Sequence, residues 1–213
     1  MIAIAPRPRR PKPVRRFPPE VLAPDEVRAL LDACNTQTLP GQRNRALLAF
    51  VYRTGLRIRE ALEVRPKDLD LERGAVRVLF AKGGRSRTVG IDAGGVAEVA
   101  TWLNVRQRVA SGAVPAWSPF APVFCSVHGI RLTEAYVRRL LPHLARRAGI
   151  AKRVHAHGLR HTHAAELRAE GFDIGIISKQ LGHASIATTA RYLDHIAPWA
   201  VVEAVGAREW RLT

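Results

Sequence analysis

The stretch HAHGLRHTHAAEL, residues His155–Leu167, places four histidines and one arginine within nine consecutive positions, 155–163. Histidines two or four positions apart can share a zinc ion, so a metal site is one hypothesis for this stretch. Two features argue against zinc: Arg160 is a permanent cation among the candidate ligands, and no carboxylate occurs before Glu166. Solvated surface histidines are the other ordinary interpretation, so the stretch by itself leaves its chemistry open.

The charge of the chain indicates a polyanionic partner. Lys and Arg number 34 against 18 Asp and Glu, a formal net charge of +16 over 213 residues, which is more than solubility requires of a small domain. Nucleic acid and anionic membrane both fit, but no apolar run reaches the ~18 residues of a spanning helix. The opening MIAIAPRPRRPKP lacks the apolar core of a signal peptide, and Cys34 and Cys125 show no metal-type spacing. We therefore expect a cytoplasmic protein that binds nucleic acid, with no membrane partner and no cysteine-based zinc site.

The chain is expected to contain three segments. Residues 1–19 hold six Lys or Arg, six Pro and no acid, which predicts a basic tail or linker that cannot fold alone. Residues 20–195 are predicted to form one globular domain. Residues 196–213 are too short to fold by themselves and must dock against another surface. The candidate DNA-binding residues of the tail are Arg7, Arg9, Arg10, Lys12, Arg15 and Arg16.

Apolar residues at helical spacing predict a mainly α-helical domain. The first helix is predicted to begin at Pro24, since a proline followed by two acidic residues suits a first turn. Further helices are predicted over about 43–52 with a stop at Thr54-Gly55, over 57–64, around 96–103, and from Thr133 to Gly149, where Pro142 predicts a kink or an earlier end. Glycines at 171 and 182 and a serine cap at 185 delimit shorter helices after that.

The pattern changes to alternation between Ala75 and Ile91, which predicts an antiparallel hairpin. Val76, Val78 and Phe80 share one face, and Gly83-Gly84 provides the turn. A short third strand is predicted at Val123–Ser126. The sequence therefore predicts an α+β fold that is mainly helical and carries a small antiparallel sheet of three strands.

Four motifs, in order along the chain, resemble those of the tyrosine recombinases of the phage-integrase family. The first stretch contains the family's H-x-x-R motif as His157-Gly158-Leu159-Arg160, followed by the usual His-Thr, and LGHASIATTARYLDH is similar to its closing signature, with Tyr192 nine residues after His183. Upstream, TGLRIREAL resembles the first arginine box with Arg57 and Glu60, and AKGGRS places Lys82 in the predicted hairpin. The resemblance covers roughly residues 22–195 and implies the catalytic-domain fold of that family.

The resemblance implies a site-specific recombinase that cuts and rejoins DNA through a 3′-phosphotyrosyl intermediate, without a metal ion or another cofactor. Tyr192 is then the nucleophile, Arg57 and Arg160 bind the phosphate, and His183 donates a hydrogen bond to it. The residue types fit, because developing negative charge on a phosphate needs fixed cations, and a phenol needs a base. The implied base, acid and orienting residue are His157, Lys82 and Glu60 respectively.

The resemblance also implies partners. These are double-stranded DNA and further protomers in a tetrameric complex, linked by the C-terminal segment, which otherwise folds back on its own domain. We expect the protein at the nucleoid. Arg85 and Arg87 of the hairpin are further candidate DNA contacts and compete with Lys82 as basic groups there. The DNA site and the outcome, whether integration, excision, inversion or resolution, stay open.

Three alternatives remain at this stage. A DNA-binding regulator with the same fold but no catalysis is the first. A histidine-metal hydrolase is the second, and it predicts sensitivity to chelators. The third is that each proposed site residue, taken singly, has an ordinary structural role, for example Glu60 as an (i, i+3) partner of Arg57.

Most members of the family carry a further helical DNA-binding domain before the catalytic one, so we expect either a catalytic domain cut from a longer chain or a short member similar to the fimbrial-switch invertases.

Overall fold

The computed structural model describes residues 20–79, 86–108, 118, 120–126, 128–196, 202 and 205–207. Within these residues the chain forms eight α-helices and one antiparallel sheet of three strands, so the predicted fold class is confirmed. The helices are α1 (Pro24–Asp32), α2 (Leu39–Thr54), α3 (Ile58–Glu63), α4 (Ala93–Arg108), α5 (Glu134–Arg147), α6 (Ala156–Ala169), α7 (Ile174–Leu181) and α8 (Ile186–Ile196). The strands are β1 (Leu69–Asp70), β2 (Ala75–Val78) and β3 (Arg87–Gly90).

Helix α2 is the centre of the domain and packs against both α4 and α6. Its inner residues are buried, Leu47, Phe50 and Val51 completely so, in the larger of two apolar cores. The helix ends where predicted, because Gly55 adopts a left-handed φ of 62° that strongly favours glycine. The end of α2 is therefore a fixed point, and the site described below is built around it.

The sheet has the order β1-β2-β3, with Val76 opposite Val89 in the hairpin. Val76 and Val78 point into the core as predicted, whereas Phe80 and the glycine turn lie outside the described residues. The prediction of a third strand at residues 123–126 is wrong: the third strand is β1, and Cys125 forms only a single bridge with Arg131. The apolar run there reflects burial against helices rather than pairing in a sheet.

Helix α5 begins after the predicted cap, Thr133, whose side chain accepts a hydrogen bond from the backbone N–H of Tyr136. It continues through Pro142, so of the two predicted alternatives, a kink or an earlier end, the earlier end is wrong. The carbonyl that loses its intrahelical partner belongs to Arg138, and both Arg138 and Pro142 are exposed, so water can satisfy it. Of the described helices, none is both long and apolar enough to cross a membrane.

A second, smaller core joins the last three helices. It consists of Ala164 from α6, Ile177 and Leu181 from α7, and Leu193 and Ile196 from α8. Burial of Leu193 and Ile196 fixes the face that α8 turns toward α6 and α7. Tyr192 packs at the edge of this core. Helix α8 thereby places the Tyr192 ring near the first turn of α6, with its centroid 6.4 Å from that of His157.

Candidate active site

The first turn of α6 carries the H-x-x-R motif. His155 caps the helix, since its Nδ1 accepts a hydrogen bond from the backbone N–H of Gly158 at 2.8 Å. His157 and Arg160 are three positions apart and therefore share a face of the helix. The segment before α1 also stabilises the start of α6, because the backbone N–H of Leu22 donates a hydrogen bond to the Thr162 hydroxyl at 3.0 Å.

Arg160 joins the ends of two helices. Its side chain is buried, with the residue 1% exposed, and it donates to the carbonyl oxygens of Gly55 at 2.6 Å and Leu181 at 2.7 Å. These carbonyls lie at the C-terminal ends of α2 and α7, where a cation also interacts favourably with the helix dipole. Arg160 also lies 3.2 Å from Nε2 of His183. Burial lowers the pKa of Arg160 to about 10, so it stays positively charged at neutral pH.

Glu60 lies between two guanidinium groups. Its buried carboxylate accepts hydrogen bonds from Arg57 at 3.2 Å and from two nitrogens of Arg87 at 3.0 and 2.8 Å. Burial raises the pKa of Glu60, but the hydrogen bond from Arg87, with those of the Arg57 backbone and the nearby positive charges, outweighs burial and leaves the pKa below its ordinary value. The contact with Arg57 fits the orienting role predicted for Glu60, which stays a prediction, and the contact with Arg87 was not predicted from the sequence.

Arg87 differs in placement from the other candidate DNA contacts. Its side chain is 14% exposed and turned toward Glu60, and its guanidinium carbon lies 2.6 Å from where a Cβ at Gly182 would be. Gly182 has a left-handed φ of 66°, so glycine is required there for both conformation and space. Arg87 therefore belongs to the wall of the site, and its DNA contact stays a prediction.

Tyr192 is surrounded by three imidazoles. Its ring stacks on that of His161 with centroids 5.0 Å apart and meets the ring of His183 edge-on at 5.2 Å, while His157 lies at 6.4 Å. The hydroxyl is buried beside the guanidinium group of Arg160, and no contact within the described part of the chain has the distance and angle of a regular hydrogen bond. Burial raises the pKa of Tyr192 to about 12, although the nearby charge of Arg160 opposes the shift. The free protein therefore holds a neutral phenol beside two predicted phosphate ligands.

The imidazoles around Tyr192 are held neutral. Burial lowers the pKa of both His157 and His183 to about 4, and repulsion by Arg160 and Arg57 adds to it. A neutral imidazole can accept a proton, which suits the role predicted for His157.

Two further contacts of the site were not predicted from the sequence. Nδ1 of His183 lies 2.8 Å from the hydroxyl of Thr189, which fixes the ring from behind. His161 supplies the stacking surface for Tyr192, and only its place next to Arg160 in the motif hinted at a role. His163 is buried with its ring against Gly55.

Several predicted residues lie outside the described part of the chain. These are Lys82, Arg85 and the tail residues Arg7, Arg9, Arg10, Lys12, Arg15 and Arg16. Their roles stay predictions. Among the residues that are described, no three His, Cys, Asp or Glu side chains are grouped as a metal site would require.

Lowered histidine pKa values predict how stability depends on pH. His163 is buried and burial lowers its pKa from 6.5 to about 4, so the folded state disfavours its protonation. Stability is then full above pH 6.5 and falls as the pH drops toward 4, by on the order of 3 kcal/mol for one such group. Urea unfolding between pH 7 and 4 should show this loss, and His163→Phe should reduce its slope. An unchanged slope in that variant would contradict the assignment.

Comparison with known proteins identifies the family. The model of the phage integrase family matches residues 20–197. The chain belongs to the phage integrase family. It is 35% identical to the tyrosine recombinase XerD of Bifidobacterium longum over 193 residues, which cover 87% of this chain and 61% of that relative. The chain spans about three fifths of the length of the curated relatives it matches.

Solved structures of the phage integrase family share the fold. The crystal structure of XerA recombinase has a TM-score of 0.77 and 28% identity, over 92% of this chain and 68% of that one. A structure of the XerH site-specific recombinase bound to palindromic difH substrate, a post-cleavage complex, has a TM-score of 0.70 and 28% identity, over 90% and 54% of the two chains.

Proposed function

We propose that the chain is a site-specific DNA recombinase that cuts and rejoins strands through a covalent bond between Tyr192 and a 3′-phosphate. The observation that supports this proposal is that residues distant in the sequence lie close together in the structure. Residues from three distant segments, Arg57, the α6 pair His157 and Arg160, and the α8 residue Tyr192, lie around one small volume. A chance distribution of arginines, histidines and tyrosines has no reason to meet there.

The arginines supply the charge that phosphoryl transfer needs. Cleavage builds negative charge on the two non-bridging phosphate oxygens, and fixed donors placed before the reaction stabilise that charge most effectively. Arg160 is locked by two backbone carbonyls and Arg57 by Glu60. Both guanidinium groups therefore need little reorganisation when the phosphate arrives, and His183 can donate a further hydrogen bond once it carries a proton at Nε2.

Proton transfers complete each cleavage step. The phenol oxygen of Tyr192 attacks phosphorus while its proton passes to His157, which is neutral at pH 7. The bond from phosphorus to the 5′ oxygen breaks, and that oxygen takes a proton from Lys82. Rejoining is the reverse reaction with a 5′ hydroxyl from another strand. One phosphodiester is exchanged for one phosphotyrosine, so no high-energy cofactor is consumed.

The test is a covalent trap. A nicked DNA duplex that loses its 5′ fragment after cleavage removes the group needed for rejoining, so the protein should accumulate as a 3′-phosphotyrosyl adduct in the presence of EDTA. Denaturing electrophoresis measures the adduct. An adduct that disappears with EDTA would favour the metal-hydrolase alternative. DNA binding without any adduct on a cognate site would favour the inactive regulator.

Double-stranded DNA is the proposed partner because the net charge is +16. Contacts to phosphates carry no base information, so binding by this domain should be sensitive to salt and discriminate weakly between sequences. The basic tail, 1–19, is proposed to add such contacts by lying along a groove. Activity of this kind belongs in the cytoplasm at the nucleoid.

The C-terminal segment is proposed to link protomers in a tetrameric complex on DNA. Val202 and Val205 are about 60% exposed, and exposed apolar residues on a short segment favour docking on another surface. Ile196, by contrast, is buried in the smaller core. We therefore begin the proposed linking segment after Ile196; the boundary at 195 stays a prediction.

Truncation after Ala197 tests this assembly. We expect DNA binding to be nearly unchanged, whereas higher-order complexes and strand exchange should fall at least ~10-fold, equivalent to ~1.4 kcal/mol of lost coupling. Gel-shift and recombination assays measure the two effects. The double variant Val202→Asp, Val205→Asp keeps the length and should behave like the truncation. Unchanged complexes in both would mean that the segment covers its own domain.

A further inference from the structure

Gln180 makes three hydrogen bonds that join separate parts of the domain. It lies in the last turn of α7, three residues before His183. Its Nε2 donates to the carbonyl oxygen of Gly90 at 2.8 Å and to that of Thr54 at 3.0 Å, and its Oε1 accepts from the backbone N–H of Gly90 at 2.9 Å. One side chain thus connects the end of α2, the end of β3 and the end of α7.

The contact with Gly90 completes the open side of the sheet. β3 is an edge strand, and Gly90 pairs with Ala75 on its other side. An edge strand presents unpaired N–H and carbonyl groups, which need a partner. The amide of Gln180 offers one donor group and one acceptor, so it satisfies both groups of Gly90, as a neighbouring strand would.

The contact with Thr54 connects this sheet edge to the phosphate site. Gly55 follows Thr54 in sequence, and its carbonyl accepts the hydrogen bond from Arg160. Two successive carbonyls at the end of α2 are therefore taken by Gln180 and Arg160. At the other end of β3, Arg87 binds Glu60. Strand β3 is fixed at both ends to elements that hold the proposed phosphate ligands.

We propose that Gln180 is a positioning residue that sets the place of the β2-β3 hairpin relative to the scissile phosphate. In the proposed function this hairpin bears the residue that protonates the leaving 5′ oxygen, and Gln180 fixes the described end of the hairpin at Gly90. The inference rests on the proposed function, in which Lys82 is that donor. The end of α7 then serves acid catalysis through Gln180 and phosphate binding through Leu181, whose carbonyl oxygen accepts a hydrogen bond from Arg160.

A leaving group that needs no proton separates this role from general support of the fold. When sulfur replaces the bridging 5′ oxygen, the bond from phosphorus to sulfur breaks and the sulfur leaves as a stable thiolate. A variant that fails only because its proton donor is misplaced should then recover. A variant with a damaged arginine site should stay slow with both substrates.

The experiment compares single-turnover cleavage of the oxygen and sulfur substrates by the full chain. Gln180→Met keeps the length of the side chain and removes all three hydrogen bonds. We expect it to cleave the oxygen substrate at least ~10-fold more slowly, a loss of ~1.4 kcal/mol in the barrier, and the sulfur substrate at close to the rate of the unmodified protein. Gln180→Glu, which keeps only the acceptor for Gly90, should show the same pattern. Lys82→Ala is the benchmark for rescue, and Ile176→Met, an exposed residue of the same helix, is the matched control that should change neither rate.

Two results would overturn the inference: an equal loss on both substrates, or no loss on the oxygen substrate. Hydrogen exchange at the Gly90 amide shows whether the contact is lost in a variant that remains folded. Failure of the proposed function has a different signature, because then the unmodified protein forms no adduct with either substrate.

Discussion

Replacing Tyr192 with phenylalanine is expected to abolish the covalent adduct while leaving the affinity for DNA unchanged. The change removes one oxygen atom and keeps the ring that stacks on His161 and meets His183. Packing should survive because the hydroxyl makes no regular hydrogen bond among the described residues, so its removal leaves no donor or acceptor unsatisfied. Trapping with the nicked substrate and gel shifts with intact DNA measure the two properties.

The other two tyrosines provide matched controls. The chain has three tyrosines in all. The hydroxyl of Tyr52 donates to Glu166 at 2.5 Å, and that of Tyr136 contacts Arg43 and Asn44 at 2.8 and 2.9 Å. These hydroxyls serve the fold, so Tyr136→Phe should lower stability somewhat and still trap DNA. Equal trapping by Tyr192→Phe would show that another residue is the nucleophile.

The motifs identified the candidate residues of this site, because each motif is a pattern of a few neighbouring residues. A helix cap, an (i, i+3) pair and a glycine stop are readable from a few neighbouring residues, and the structure has α6, the end of α2 and the hairpin where these signals place them. The relative placement of the segments came from the family resemblance. Nothing in the spacing of Arg57 and Tyr192 by itself brings them together.

The features that the sequence did not predict depend on contacts between distant segments. β1 is two residues long and has no pattern of its own, so it exists only because β2 lies beside it. Residues 123–126 look like a strand since they are apolar, but their burial against helices explains that composition equally well. Arg87 was predicted only as a candidate DNA contact of the hairpin, and its pairing with Glu60 spans 27 positions. Gln180 reaches Gly90 over 90 positions, which no local rule anticipates.

The two arginines of the site should respond differently to replacement by alanine. Arg57→Ala is expected to slow cleavage by ~10²-fold or more, the scale for loss of one fixed charge donor, with less than ~1 kcal/mol lost from the free energy of unfolding. Its side chain is 36% exposed, and Glu60 keeps its partner Arg87. Single-turnover cleavage and urea unfolding measure the two quantities.

Arg160→Ala is expected to lower both the rate of cleavage and the free energy of unfolding. It removes the same kind of phosphate donor, so cleavage should fall at least as far, and it also leaves the carbonyls of Gly55 and Leu181 without their donors. Two opposing effects decide the stability. Burial lowers the pKa of Arg160, which shows that holding a cation there costs free energy, and its removal recovers part of that cost. Two hydrogen bonds from a charged group contribute ~1.5–3 kcal/mol each, so we expect a net loss of about 1–3 kcal/mol.

Lysine at the same position separates charge from geometry. Arg160→Lys keeps the positive charge, but one ammonium group cannot reproduce the planar fork that spans both carbonyls and still faces the phosphate. Cleavage should therefore remain strongly impaired, and stability should recover only in part. If Arg160→Lys cleaves DNA as fast as the unmodified protein, or if Arg57→Ala destabilises the fold as much as Arg160→Ala does, then the link between the two helix ends and the phosphate site is not the reason for an arginine at position 160.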